Sequence, residues 1–217
     1  MESIWIETTI EMESVNWRGR TIHLRNVPAI RNTKTGNVRV YPSEVAKAEV
    51  RMLAEEYDLE PRDVCLLLML LAKPGPFKKG YVQFKYQINK MLFYQWKEME
   101  KQGLGDTFPH DEFEAAPRGP IPKNLDADLK RLEKKSIVSL SYKKWGKGPK
   151  EASVTTTLTS FGVKVATKLV REVPKPLKEV TVVVKEQLFP LDPMTIREKV
   201  HQDFPKYQKI YVELDRD

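Results

Sequence analysis

Alternating apolar and polar positions in the first forty residues predict β-strands. The stretch Ile4–Ile10 carries an apolar side chain or threonine at every second position, which is the period of a half-buried strand. Ile22 and Leu24 alternate with polar neighbours and predict a second strand. Gly36 is predicted to form a tight turn into a third strand over 38–40. The chain is therefore expected to begin as a small β-rich module.

A helical period replaces this alternation after residue 42 and predicts three helices. Ser43 is predicted to cap the first helix, which reaches about Tyr57. Pro61 suits the first position of the second helix, which runs to about Ala72 and, being apolar all round, should lie at the buried centre. The third helix is predicted over 83–102, and its five aromatic side chains are expected in a core or a dimer interface rather than under stacked bases.

The second half of the chain reads as helix, hairpin and helix. After a loop over 103–119, Pro120-Ile121-Pro122 is predicted to open a helix to about Lys135. Leu125, Leu129 and Leu132 are spaced to form the buried face of that helix. The remaining predicted elements are strands over 137–142 and 152–158, a helix over 161–171 capped by Thr159, and helices over 177–188 and 193–203.

These elements predict an α+β fold, in which a β-rich module precedes a mainly helical, winged-helix-like domain with a β-hairpin wing. The expected division is a β-rich module over 1–42, a connecting helix over 43–60, the winged-helix-like domain over 61–173 and a helical extension over 174–217.

Charge is concentrated in one part of the chain. Between Arg118 and Lys150 there are ten basic residues and three acidic ones, an excess of seven. This excess equals the formal net charge of +7 of the whole chain, so the remainder is neutral overall. A local basic region favours a polyanionic partner more strongly than a diffuse positive charge does.

The order of elements around this basic region is that of a winged helix-turn-helix. A helix that buries leucines on one side and presents lysines on the other suits phosphate contacts, and a hairpin reaches the adjacent backbone or groove. Asn124 and Arg131 are the helix side chains suited to base edges. The candidate nucleic-acid-binding residues are Lys123, Asn124, Lys130, Arg131, Lys134 and Lys135 on the helix, and Lys143, Lys144, Trp145, Lys147 and Lys150 on the hairpin.

Motifs for catalysis are sparse, and the sequence predicts no enzyme. The three histidines have no ligand partner at i+3 or i+4, and neither a phosphate-binding loop nor a Gly-x-Ser-x-Gly motif occurs. The acidic run His110-Asp111-Glu112 is of a kind that is more often solvated than bound to magnesium. We therefore expect no metal and no cofactor.

Localisation is predicted from cysteine usage and hydropathy. The single cysteine, Cys65, permits no intrachain disulfide, and its apolar surroundings favour a core residue over a reactive thiol. The run Val64–Ala72 is shorter than the ~20 residues that span a bilayer, and the N-terminus lacks the regions of a secretory signal. We expect a cytoplasmic protein without a membrane partner, and its many lysines and glutamates favour a thermophile.

Three functions fit these features. The first is a winged-helix regulator that binds DNA, with the N-terminal module serving for homodimerisation or partner binding. The second is a factor associated with ribosomal RNA or the ribosome, since lysines on the helix would fit rRNA phosphates without base-reading residues. The third is a protein-interaction module that neutralises a partner protein through the aromatic helix and the N-terminal strands.

Several segments after Val64 resemble the Panacea-type domain of socA-like antitoxins in their order and spacing. This resemblance implies a winged-helix antitoxin-like regulator, and it covers most of the chain beyond the first helix. The matching segments are 66–71, Gln83–Phe93, Arg118-Gly119-Pro120-Ile121, Leu129-Lys130-Arg131-Leu132, Leu158-Thr159-Ser160-Phe161-Gly162 and Val200–Tyr207.

The N-terminal module resembles a degenerate zinc ribbon of the YgiT type. Asn26–Ile30 leads into a knuckle at Gly36 and then into Val40–Ala46, as in that family. Arg31 and Lys34 stand where the family places cysteines. Because a tetrahedral zinc site needs four Cys or His ligands, the resemblance implies a module without its metal.

Overall fold

The computed structural model describes residues 4–15, 19–71, 82–107, 113–114, 119–144 and 152–205. Their fold is α+β, with an N-terminal antiparallel sheet followed by a helical region that contains two further small sheets. The N-terminal unit consists of β1 (Trp5–Val15), β2 (Thr21–Asn32), β3 (Val38–Arg39) and α1 (Pro42–Glu56). The helical region consists of α2 (Pro61–Leu71), β4 (Val82–Phe84), α3 (Lys85–Lys101), a 3-10 turn (Gly105–Thr107), β5 (Phe113–Glu114), β6 (Ile121–Pro122), α4 (Leu125–Lys134), β7 (Val138–Lys144), β8 (Ala152–Leu158), α5 (Ser160–Glu172), α6 (Lys175–Leu188) and α7 (Pro193–Asp203).

A β-bulge in β2 determines which side chains of the N-terminal sheet are buried. Ile10 pairs with Val27 while Met12 pairs with Leu24, so two residues of β2 lie opposite one residue of β1. The extra residue, Asn26, adopts a left-handed backbone conformation with φ 54. Because it shifts the alternation by one position, the buried residues change from even to odd numbers and still share one face. These residues are Ile22, Leu24, Val27 and Ala29.

Helix α1 lies between the N-terminal sheet and the helical core. Ala48 packs against the sheet, whereas Val50 and Leu53 belong to the main core. The helix begins at Pro42 with Tyr41 at the N-cap position, so the predicted cap at Ser43 is wrong. Proline at the first helical turn fixes φ at a helical value and needs no N–H partner, which explains the earlier start.

The main core is formed by helices from α1 to α7 together with β7 and β8. Helix α2 lies at its centre with every residue from Asp63 to Leu70 buried, as its apolar sequence predicts. Cys65 is fully buried in this helix. Helices α6 and α7 contribute Val184, Ile196 and other side chains to the same core, so the C-terminal extension packs on the winged-helix-like part.

A three-stranded antiparallel sheet with the order β4-β8-β7 completes the winged-helix-like part. Gln83 and Phe84 were expected to be helical, but they pair with β8 in β4, and α3 begins at Lys85. This correction reflects a tertiary pairing that local periodicity does not reveal. The predicted hairpin is confirmed, since β7 pairs with β8 from Val138↔Leu158 to Lys144↔Ala152.

A close approach of backbones fixes the base of this hairpin. The N-terminus of α5 is capped as predicted, because the Thr159 hydroxyl accepts a hydrogen bond from the Gly162 N–H at 2.9 Å. A Cβ atom at Gly162 would lie 1.9 Å from the carbonyl oxygen of Ile137. Only glycine therefore allows α5 to pack this closely on the start of β7.

Aromatic side chains join α3 to the C-terminal helix and to the short sheet β5-β6. The Phe93 ring meets Phe204 edge-on at 4.9 Å between centroids, and Trp96 stacks on Phe113 at 5.0 Å. The Tyr94 hydroxyl donates to an Asp203 carboxylate oxygen at 2.6 Å. The aromatic residues in the middle of α3 are thus core residues, as expected. In the described part of the chain, no helix has both the length and the apolar character needed to cross a membrane.

Candidate nucleic-acid interface

Helix α4 has the two faces that its sequence predicts. Leu125, Leu129 and Leu132 are almost completely buried against the helical core. Lys123, just before the helix, and Lys130 and Lys134 within it are exposed. We call these three residues the lysine row, because their spacing places them along one face of the helix. Within the described ranges, none of the three is engaged in an ion pair.

Arg131 differs from the expectation that it faces nucleic acid. Its Nη2 atom lies 2.6 Å from Oδ1 of Asp63 in α2 and 2.8 Å from Oδ1 of Asp128, while its Nη1 atom lies 3.1 Å from Oε1 of Glu60. The Nε atom of Arg62 lies 3.1 Å from the same Oδ1 atom of Asp128. We call this cluster the Asp63–Arg131 network. The guanidinium thus holds α4 on α2, and its donors are directed away from base edges.

Burial and neighbouring charges shift the pKa values of Asp128 and Arg131 in opposite directions. Burial raises the pKa of Asp128 to about 6, although Arg62 and Arg131 favour its charged form. Burial acts to lower the pKa of Arg131, but the hydrogen bond to Asp63 and the charges of Asp63, Asp128 and Glu60 together raise that pKa. Asp63, which is fully buried, also accepts a hydrogen bond from the Glu60 N–H at 3.0 Å. Asp63 therefore serves both the start of α2 and its contact with α4.

Lys135 also binds within the chain. Its ammonium group lies 2.6 Å from the Asp58 carboxylate and donates to the Asp58 carbonyl in the connection between α1 and α2. Asp58 is held at a φ of 53, so its carbonyl and carboxylate face the same ammonium group. This contact directs the end of α4 toward the protein, which the sequence-based assignment of Lys135 to the interface did not anticipate.

Asn124 and two acidic residues complete the exposed side of α4. Asn124 occupies the N-cap position with an exposed side chain that makes no capping hydrogen bond. Asp126 pairs with Lys85 at 2.5 Å. Glu133 accepts a hydrogen bond from the Leu140 N–H of β7 at 3.0 Å. Both carboxylates therefore have partners within the chain, and the lysine row with Asn124 forms the surface open to a ligand.

Only some of the candidate binding residues of the hairpin β7–β8 lie in the described part of the chain. Lys143 and Lys144 are the last residues of β7, and nothing is described of their side chains. The predicted contacts Trp145, Lys147 and Lys150 lie outside the described residues. The hairpin leaves the core directly after α4, and Tyr142 is 60% exposed on it.

A second basic surface, on α5, does not follow from the distribution of charge along the sequence. Lys164, Lys168 and Arg171 are all exposed, and none forms an ion pair among the residues described. Their spacing of i, i+4 and i+7 places them on one face, which continues from Phe161, 53% exposed, at the start of the helix. The spacing was visible in the sequence, but the chain outside 118–150 is neutral in total, so the summed charge did not reveal this face.

Side chains that could bind a metal ion are not clustered in the described ranges. No group of three or more His, Cys, Asp or Glu side chains is placed there to hold a metal ion. Arg31 and Lys34, which stand where a zinc ribbon would have cysteines, lie within β2 and in the turn before β3.

Comparisons with protein families, curated proteins and solved structures found no match to this chain. The resemblance to Panacea-type domains therefore stays a prediction.

Proposed function

We propose that this protein binds nucleic acid through phosphate contacts made by the lysine row of α4 and by the hairpin β7–β8. The observation that carries the proposal is the arrangement of α4. Its inner face is anchored by three leucines and by the Asp63–Arg131 network, and its outer face carries three exposed lysines without ion pairs in the described structure. A rigid helix with free ammonium groups supplies affinity for a polyanion without reorganisation.

The same arrangement supports weak sequence discrimination. Lysine contacts phosphates as a point charge, whereas bidentate arginine reads the edge of guanine. Arg131 is the arginine that α4 offers, and its donors are used by Asp63, Asp128 and Glu60. Asn124 remains as the side chain on this surface suited to adenine. Binding is therefore expected to depend strongly on salt and weakly on base sequence.

The test is the salt dependence of binding to a DNA duplex of arbitrary sequence. The triple variant Lys123→Ala, Lys130→Ala and Lys134→Ala should reduce the slope of log K against log salt by about 3, one for each lost phosphate contact. The matched control removes the same charge from α5, as Lys164→Ala, Lys168→Ala and Arg171→Ala. An unchanged slope in the first variant, or an equal loss in the control, would contradict the proposal.

A second candidate is association with ribosomal RNA. It is favoured by the internal use of Arg131, because a factor that recognises folded RNA by its phosphates needs no base-reading arginine. The expected result is sedimentation with ribosomal particles in a sucrose gradient, lost in the α4 triple variant and kept in the α5 control. A structured rRNA fragment that binds no more tightly than the DNA duplex would exclude this candidate.

A further inference from the structure

Strand β1 forms one edge of the N-terminal sheet, in the order β1-β2-β3. It is 11 residues long, whereas β3 at the other edge has 2 residues. Within the described residues, no strand or helix pairs with its outer side. A long strand with an unpaired edge is a template for pairing with another chain unless the protein covers it.

The register shows which backbone groups point outward from this edge. The Ile4 carbonyl accepts a hydrogen bond from the Thr33 N–H at 2.9 Å, so Ile4 directs its backbone toward β2. Because the direction alternates along an antiparallel strand, Trp5, Glu7 and Thr9 direct their N–H and C=O groups to the free edge. Pro28 lies opposite Thr9, where β2 donates no hydrogen bond to β1, in agreement with this register. The partner of the Thr9 carbonyl in the described structure is the Thr8 hydroxyl, at a long distance of 3.4 Å.

Edge strand β7 provides an internal comparison. Its Leu140 N–H is bound by the Glu133 carboxylate at 3.0 Å, which blocks pairing in the middle of that strand. No side chain occupies the corresponding position beside β1 in the described part of the chain. Among the described residues, the edge of β7 is therefore covered and the longer edge of β1 is open.

The side chains of β1 define the chemistry of a matching strand. Glu7, Glu11 and Glu13 are exposed on one face, and β1 contains no basic residue. On the other face Ile4 and Ile6 are 62% and 47% exposed, and the exposed Arg31 of β2 lies opposite Ile6. A strand beside β1 would therefore gain from basic side chains on one face and apolar side chains on the other.

We infer that the free edge of β1 binds an extended, basic and amphipathic segment of a partner protein by adding it as a fourth strand. Hydrogen bonds to Trp5, Glu7 and Thr9 provide the affinity, and the three glutamates select basic residues at alternate positions. A second copy of β1 does not fit this description. It contains no basic residue, so it offers no charge partner for Glu7, Glu11 and Glu13.

The experiment uses the full chain and a blocked synthetic peptide in which lysine and valine alternate. We expect saturable binding by calorimetry, together with slower hydrogen exchange at the amides of Trp5, Glu7 and Thr9. A peptide alternating glutamate and valine, and one alternating lysine and glycine, should each bind at least about tenfold more weakly. Equal binding of the three peptides, or no protection of these amides, overturns the inference.

Two sets of variants locate the site. Thr9→Pro removes an outward N–H without removing a hydrogen bond to β2, so peptide binding should fall about tenfold, while the control Thr9→Ala keeps it. If Thr9→Pro does not fold, the double variant Glu7→Lys and Glu11→Lys decides the question, because it should prefer the glutamate peptide over the lysine peptide. An unchanged preference contradicts the inference. Neither outcome affects the salt-dependent binding of DNA expected from α4.

Discussion

The two long hairpins of this protein, β1–β2 and β7–β8, differ in how their edge strands are treated. The Glu133 carboxylate binds the edge of β7, and the N-terminus of α5 fixes its base through Thr159 and Gly162. The edge of β1 carries three exposed glutamates and no cover in the described structure. The closed edge of β7 is thus bound by a side chain of α4, the helix that carries the lysine row, whereas the open edge of β1 carries carboxylates.

The attachment of the two hairpins also differs. The N-terminal sheet rests on α1 through a small cluster of four buried side chains, with Arg20 joining Glu56 and Glu172 at its turn end. The hairpin β7–β8 is part of the main core, to which it contributes Val138 and Leu158. Substitutions in the two regions should therefore have separable effects on stability and binding.

Asp63→Ala should have the largest effect, because it leaves the guanidinium of Arg131 without its closest partner. Removing one member of a buried ion pair costs ~3–5 kcal/mol. We expect a loss of this size in the free energy of unfolding measured with urea, together with weaker DNA binding, because α4 loses its anchor. The variant Glu60→Ala, which removes a half-exposed partner, should cost less than about 1 kcal/mol. Equal effects of the two variants would show that the network does not depend on Asp63.

Two buried lysines predict that alkaline pH stabilises the helical region. Burial lowers the pKa of Lys90 and of Lys185 from 10.5 to about 7. Between these values the unfolded chain binds more protons than the folded one, so the free energy of unfolding should rise with pH above about 7. Denaturation below pH ~9.5 avoids the opposing ionisation of Tyr94, whose pKa burial raises.

Lys185→Met should flatten this pH dependence and raise the stability at neutral pH. The Lys185 ammonium group is buried without a hydrogen-bond partner in the described residues, so replacing it with an apolar side chain removes a desolvation cost of roughly 1–3 kcal/mol. The control is Lys168→Met at an exposed position of α5, which should change neither quantity. Because Lys90 still contributes, part of the slope should remain, and a slope as steep as that of the natural protein would assign the effect to other groups.

Asn26→Val tests the β-bulge of the N-terminal sheet, a feature that the regular hairpin β7–β8 lacks. A β-branched residue at φ 54 is strained by ~1–2 kcal/mol, so stability should fall by about that amount. Asn26→Gly, which accepts this conformation, should lie within a few tenths of a kcal/mol of the natural protein. The loss should be local and visible as faster hydrogen exchange in β1 and β2. Faster exchange in α2 would instead indicate that the two regions unfold together.

Glu133→Ala should have the smallest effect on stability, but it should open the edge of β7 by removing the acceptor of the Leu140 N–H. Loss of one exposed hydrogen bond costs ~0.5–1 kcal/mol. The amide of Leu140 should exchange faster, and β7 should then resemble β1 in having an open edge. Glu133→Gln keeps an acceptor and serves as the control. Unchanged exchange at Leu140 in Glu133→Ala would show that the carboxylate does not protect the edge.

The sequence predicts the elements whose signals are local. Thr159 and Pro61 mark helix starts that the structure confirms, and the apolar run of α2 correctly predicts a buried helix. Gln83 and Phe84 were assigned wrongly because their pairing with β8 joins residues far apart in the chain.

The candidate site shows the same limit. The lysine row follows from helical spacing and is exposed as expected, whereas the inward position of Arg131 depends on Asp63 in another helix. The spacing of Asp128 and Arg131 at i, i+3 allowed an ion pair, but it could not show that both side chains meet α2.

The position of helix α1 between two cores constrains the number of residues in this helix. Ala48 packs against the sheet on one side of the helix, and Val50 and Leu53 pack in the helical core on another. The Glu49 carboxylate accepts a hydrogen bond from the Ser14 hydroxyl of β1 at 2.7 Å. An α-helix turns through about 100° per residue. Inserting or deleting a single residue in the middle of α1 would rotate one set of side chains away from its partner. Homologous chains should therefore vary in the loops before and after this helix, while its length stays constant.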